Sequence, residues 1–199
     1  MKVVSRVLVL ALCVTAMAFG AIIDDFSTDQ VPGAASLGPL VPDTQGNRRL
    51  FADSDVTNLA ITSKVLLGEF RGSAESGTTG LSGATYTTWW DLSAPSLALA
   101  IELAYKDDNP GFIEFGVYDG VTEYWSPSVA LGAPGLIQSA VLSSWASNLG
   151  NVQVGFRVTH GDDLDYRLDN FQTVIPEPGT YALMGVGLLA FFAVRRRKA

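Results

Sequence analysis

"LALAIELAY", residues Leu97 to Tyr105, decides the architecture of the middle of this chain. Leu97, Leu99, Ile101, Leu103 and Tyr105 share one phase of a two-residue repeat, and Ala98, Ala100, Glu102 and Ala104 share the other. That is the pattern of a β-strand with one apolar face. "VQVGFRV" repeats it, with Val152, Val154, Phe156 and Val158 against Gln153, Gly155 and Arg157, and "FIEFGVY" aligns Ile113, Phe115 and Val117. No stretch between Ile22 and Val174 shows convincing helical spacing. "KDDNPG", Lys106 to Gly111, reads as a turn between the first and third of these strands.

Further strands are expected at Asn58 to Leu67, Ala84 to Trp90, Glu123 to Leu131, Ile137 to Leu142 and Tyr166 to Thr173, with turns at Asp119-Gly120, Ala133 to Gly135, Asn148 to Asn151 and Gly161 to Asp163. About eight short strands, each with one apolar face, bury those faces only by pairing two sheets or closing a barrel. The expected fold is all-β, a two-sheet antiparallel β-sandwich of jelly-roll type. Asp29 to Asn47, with Pro32, Pro39 and Pro42, is expected to be a loop over a sheet edge.

The two ends are different. Residues 1–20 place Lys2 and Arg6 before an apolar run from Val7, then Ala16 and Ala18 in A-x-A spacing, which reads as a secretory signal peptide handled by the export translocon. Cys13 is the chain's single cysteine and lies inside that segment, so the mature protein is expected to hold no disulfide or thiolate site. Setting aside the cations of both ends leaves seven against twenty carboxylates, about −13. Such a surface repels nucleic acid and anionic membranes.

Residues 175–199 join a rigid Pro176-Glu177-Pro178, an uncharged run from Thr180 to Val194, and Arg195, Arg196, Arg197 and Lys198. As a helix the run spans about 22 Å, a single hydrophobic helix slightly short for a bilayer, with the cations holding the cytoplasmic side. The prolines keep the preceding backbone extended and unpaired, as a protease groove requires. These features together resemble the PEP-CTERM sorting signal. The resemblance implies recognition of Pro176, Glu177 and Pro178 by exosortase, a membrane processing enzyme, a transient membrane anchor, and delivery to the cell surface or to an extracellular matrix of exopolysaccharide and biofilm. A permanent single-pass anchor is the alternative.

Residues 21–174 are then the exported domain. "IDDFS", "WDLS" and "YRLDNFQ" resemble parts of galactose-binding-like jelly rolls, the architecture of many carbohydrate-binding modules. The resemblance brings first and last strands together, making Asp25 and Asp169 candidates for a structural calcium. The alternative is that Asp24 and Asp25 end a strand in solvent and that Asp169 or Asn170 marks a bulge, as the phase break between Leu168 and Phe171 suggests. Trp90 and Trp125 are candidate rings for stacking on a sugar, with Trp89 and Trp90 necessarily on opposite sides of a strand.

Chemistry-bearing residues are few. His160 is the single histidine, and "GDDLD" lacks the length and terminal glutamate of a calcium-binding EF-hand loop. The reading is a non-enzymatic exported protein that binds carbohydrate. A polysaccharide-active enzyme on the same scaffold and a purely structural surface protein are the alternatives. Mass spectrometry of the exported protein's C-terminus is expected to find the arginine-rich end removed in a host with its processing enzyme and retained without it.

Overall fold

The structure, a computed structural model, describes residues 20–31, 40–43, 46–54 and 61–175. The expected signal peptide, the Pro-Glu-Pro tripeptide, the hydrophobic helix and the terminal cations lie outside the described residues. Among those described, no helix is long and apolar enough to cross a membrane. Gly20–Val174 clusters as one unit.

Two antiparallel sheets form that unit. The first holds β1 (Ile22–Asp24), β4 (Ile61–Leu66), β5 (Glu69–Ala74), β7 (Ala98–Lys106), β11 (Gly135–Gln138) and β13 (Asp165–Val174), in the order β11-β7-β13-β5-β4 with β1 also on β13. The second holds β2 (Leu40–Asp43), β3 (Gly46–Ser54), β6 (Gly80–Tyr86), β8 (Gly111–Tyr118), β9 (Glu123–Trp125), β10 (Val129–Ala130) and β12 (Gln153–His160), in the order β10-β8-β12-β6-β3-β2 with β9 also on β8. The expected two-sheet sandwich is observed. The Lys106–Gly111 turn carries the chain from one sheet to the other.

The alternating phases meet between the sheets as sequence periodicity requires. Leu99, Ile101 and Leu103 of β7 face Ile113, Phe115 and Val117 of β8 and Val154, Phe156 and Val158 of β12 in one buried cluster. Aromatic rings fill its middle: Phe70 meets Phe156 edge-on at 5.1 Å, and Tyr86 stacks on Phe171 at 5.4 Å. Such pairs add to the burial of apolar area itself.

Several expectations shift. Tyr105 is 43% exposed rather than sharing the buried phase, because Arg167 pairs with Tyr105 and Leu168 with Leu103, so Ala104 is an extra residue that resets the alternation. A second irregularity between Asp169 and Gln172, with Asn170 at φ 49°, is the bulge that the phase break marked. The expected loop from Asp29 to Asn47 contains β2, whose Pro42 is tolerated because β2 is an edge strand. The expected strand Glu123 to Leu131 is two short strands separated by Ser126 to Ser128, and Ile137 to Leu142 ends in a 3₁₀ turn at Leu142–Ser144. β3 and β5 were not anticipated; β4 and β5 join through Leu67 at φ 56° and Gly68 at φ 78°, a turn whose first residue is not one of the usual turn formers.

A buried polar clasp ties the sheets. Arg48 on β3 and Asp24 on β1 are both fully buried; Nη1 donates to Oδ2 at 2.7 Å and to Oδ1 at 2.9 Å. Arg48 Nε donates to Gln30 Oε1 at 3.2 Å and Nη2 to the Thr28 carbonyl, while Tyr86 Oη and the Phe26 amide donate to the two Asp24 oxygens. Removing one partner leaves the other charge buried in a medium that cannot solvate it. Arg48→Met is expected to lower stability by about 3–5 kcal/mol, read from the urea midpoint, with the Asp24→Leu/Arg48→Met double variant recovering part of the loss.

Candidate functional site

The outward phase of the second sheet builds a groove. Along β8 it reads Glu114, Gly116, Tyr118, and along β12 Gln153, Gly155, Arg157. Antiparallel register sets Gly155 opposite Gly116, Arg157 opposite Glu114 and Gln153 opposite Tyr118. The next strand continues these rows with Thr85 opposite Gly155 and Gly83 opposite Arg157. Glycines therefore floor the centre, and larger polar and aromatic groups rise around it.

Trp125 stands at one side. Its backbone pairs with Gly116 across β8 and β9, and its ring lies over that glycine so closely that a Cβ there would sit 2.8 Å from the ring. The Arg157 guanidinium stacks over the ring at 4.1 Å from its centroid and binds Glu114 through Nε at 2.5 Å. The indole is thereby held in place by a cation–π contact whose cation is itself fixed by a carboxylate. Tyr118 is exposed, packs against Trp89 at 6.3 Å and donates from Oη to the Gly120 carbonyl. Trp125 and Tyr118, together with Glu123, Thr85 and Gln153, line an open groove of about 170 Å³. It combines aromatic surface with amide, hydroxyl and carboxylate groups, the mixture that orients a polyhydroxylated ligand.

The two candidate tryptophans separate. Trp125 lines the groove. Trp90 bridges Val152 and packs half-buried against the core, with Nε1 buried and unbonded, while its neighbour Trp89 is 44% exposed beside Tyr118. Opposite sides for the adjacent pair were legible; which of the two faced outward was not. Sequence reading also missed Glu114, Arg157 and Tyr118. Their signal lay in the outward phases of two strands, each of which carries a central glycine and a single charge of opposite sign.

Asp25 and Asp169 come close enough to interact. Burial raises the Asp169 carboxyl above the usual range; the Asn170 amide pulls it down, and the charges of Glu102, Glu69 and Asp25 push it up further. Asp25 accepts from the Ser27 amide. Among the described residues no group of three or more histidine, cysteine, aspartate or glutamate side chains is placed to hold a metal ion.

His160 lies inside the sandwich, remote from solvent. Its Nε2 and the Ser82 hydroxyl share a short bond of 2.5 Å, and Ser82 also bonds Tyr166 Oη at 2.5 Å. Nδ1 has no partner at hydrogen-bonding geometry, although the Leu164 backbone is near enough to favour the charged ring. Burial moves the imidazole down to about 4 against the smaller opposing effects of Leu164 and Asp165. The ring is a neutral core residue tying β12 and β6 to β13, out of reach of any substrate.

Residues 174–198 match the PEP-CTERM protein-sorting motif. The chain thus carries a signal that implies export, exosortase sorting and a surface or extracellular destination. No curated protein matches the chain. Among solved structures it is similar to the family 11 carbohydrate-binding module of the cellulosomal cellulase Lic26A-Cel5E of Clostridium thermocellum, at 12% identity and TM-score 0.45 over 80% of this chain and 96% of that one. It is also similar to TmCBM61 in complex with β-1,4-galactotriose, at 14% identity and TM-score 0.37 over 63% and 86%. A family 29 carbohydrate-binding module complexed with mannohexaose follows at 10% identity and TM-score 0.39 over 73% and 89%.

The shift of His160 has a definite sign. The unfolded chain takes up a proton near pH 6.5 and the folded one near 4, so the native state loses stability as pH falls between those values. The loss approaches about 3 kcal/mol below pH 4. His160→Gln is expected to remove this component, checked by comparing urea midpoints of the two proteins from pH 7 to pH 4.

Proposed function

We propose that this is a non-catalytic cell-surface or matrix protein, sorted and cleaved by exosortase through its tail, whose exported sandwich binds a neutral glycan along the outer face of β8, β12 and β6. The observation that carries the glycan reading is the arrangement around Gly116. Gly155 keeps the floor low beside the ring, the half-buried indole of Trp125, seated on Gly116 and braced by Arg157, supplies an apolar edge for sugar C–H groups, and Gln153, Glu123 and Thr85 supply hydrogen-bonding partners for hydroxyls. The braced ring loses little rotational freedom when a ligand arrives, which favours binding by weak contacts. The sorting reading rests on the motif at residues 174–198.

An enzymatic reading finds less support. The single histidine is committed to the core, Glu114 is tied to Arg157, and Glu123 is the one carboxylate lining the groove, where glycoside hydrolysis ordinarily takes a pair.

Isothermal titration with neutral oligosaccharides checks the proposal. Trp125→Ala is expected to weaken binding about tenfold or more, the equivalent of about 1.4 kcal/mol, without lowering the melting temperature below that of Trp89→Ala. Binding unchanged by Trp125→Ala would remove the glycan reading, and reducing-sugar release would replace it with the enzymatic one.

A further inference from the structure

The outer face of the first sheet carries a row of cations. Register places Lys64 of β4 opposite Arg71 of β5, Arg71 opposite Arg167 of β13, and Arg167 opposite Tyr105 of β7. With strands about 4.8 Å apart, the three charges span about 10 Å. Residues 21–174 hold only seven lysines and arginines among their many carboxylates, so three in one line is a concentration. The other cations with described partners are otherwise engaged: Arg48 in the clasp, Arg157 with Glu114, and Lys106 with the carbonyls of Asp107 and Asn109.

The row is held against an electrostatic cost, since like charges directly opposite on adjacent strands destabilise a sheet. Glu69 offsets part of it, 2.9 Å from Arg71 Nη2 and 3.8 Å from Arg167 Nη1. The nearer approach is a charge contact without hydrogen-bond geometry: Glu69 Oε2 and Arg71 Nε are both buried and unbonded. Lys64 makes no hydrogen bond or ion pair among the described residues. Arg167 lies over the Tyr105 ring at 5.0 Å, and both are more than two-fifths exposed. The row floors an open groove of about 350 Å³ with Thr62, Ser73 and Asp165 at its rim.

We propose that this groove binds an acidic polysaccharide, one bearing carboxylate or sulfate groups. Arginine presents a planar fork that matches either anion, and lysine adds a mobile point charge. Tyr105 offers an aromatic face beside them, and Thr62 and Ser73 offer hydroxyls. The flanking Glu69 and Asp165 confine the positive field to a short stretch, which suits acidic groups spaced by sugar rings better than the dense charge of nucleic acid or an anionic bilayer. The site lies on the sheet opposite the Trp125 groove and stands independently of it. Occupied together, the two faces make one domain a bridge between a neutral and an acidic glycan.

The test is affinity electrophoresis of the exported protein through gels containing polygalacturonate, dextran sulfate or neutral dextran, with co-sedimentation on phosphatidylglycerol vesicles alongside. Retardation by polygalacturonate or dextran sulfate is expected, the polymer naming the acid group. It should weaken at least tenfold in Lys64→Gln/Arg167→Gln, fall with added salt, and persist in Trp125→Ala. Both substituted side chains are surface groups, and the melting temperature checks the fold of the variant. The wild-type salt dependence provides a second measurement. Equal retardation of the double variant, retardation insensitive to salt, absence of retardation by both polyanions, or equal capture by the vesicles would each overturn the proposal. Loss in Trp125→Ala alone would locate acidic-glycan binding on the other face and overturn it as well.

Discussion

The Asp24–Arg48 pair is the constraint on which the sandwich turns. A guanidinium and a carboxylate removed from water between two sheets are tolerated only if nearly every donor and acceptor around them is met, and here β1, β3, β6 and the segment through Gln30 all contribute. The pair also specifies register. A one-residue slip of β3 would set either Asn47 or Arg49 in the inward place where Arg48 meets Asp24. Asparagine there leaves the buried carboxylate without its cation, and arginine there keeps the ion pair only with Phe51 forced into the buried place of Leu50.

The same core sets what each outer face can display. Because β12 sits between β8 and β6, its outward residues have neighbours on both sides; glycine at 116 makes room for the Trp125 ring of β9, and glycine at 155 keeps the floor beside that ring low. On the other sheet β13 is the central strand, and its outward Arg167 lies between Arg71 and Tyr105. The Ala104 irregularity matters there, since without it Tyr105 would have remained in the buried phase. A backbone defect in one strand therefore provides the aromatic flank of the cationic row.

Sequence periodicity made the long central strands legible: β7, β8, β12 and β13 each bury one face against the other sheet, and alternation follows directly from that. It could not reveal β3, whose buried phase begins with an arginine, or β5, whose buried phase alternates phenylalanine with a glycine that makes room for the Tyr166 ring. Short edge strands such as β2, β9 and β10 are held by pairing rather than by their own composition, and so leave little trace in one dimension. Trp125 could be named as a surface ring, but its brace is a product of cross-strand register. The cationic row is likewise invisible in the chain, where Lys64, Arg71, Tyr105 and Arg167 are widely separated and acquire meaning only when four strands lie side by side.

The position of β13 has a mechanical consequence. Its last residue, Val174, is where the folded unit ends, and the strand is hydrogen-bonded to β7 along one edge and to β5 and β1 along the other. Tension arriving from the C-terminal side pulls along this strand, perpendicular to its hydrogen bonds, and loads both ladders in shear rather than peeling them one rung at a time. A chain held at that end and gripped elsewhere by polymer would resist extension through its central strand, the geometry suited to a link under strain.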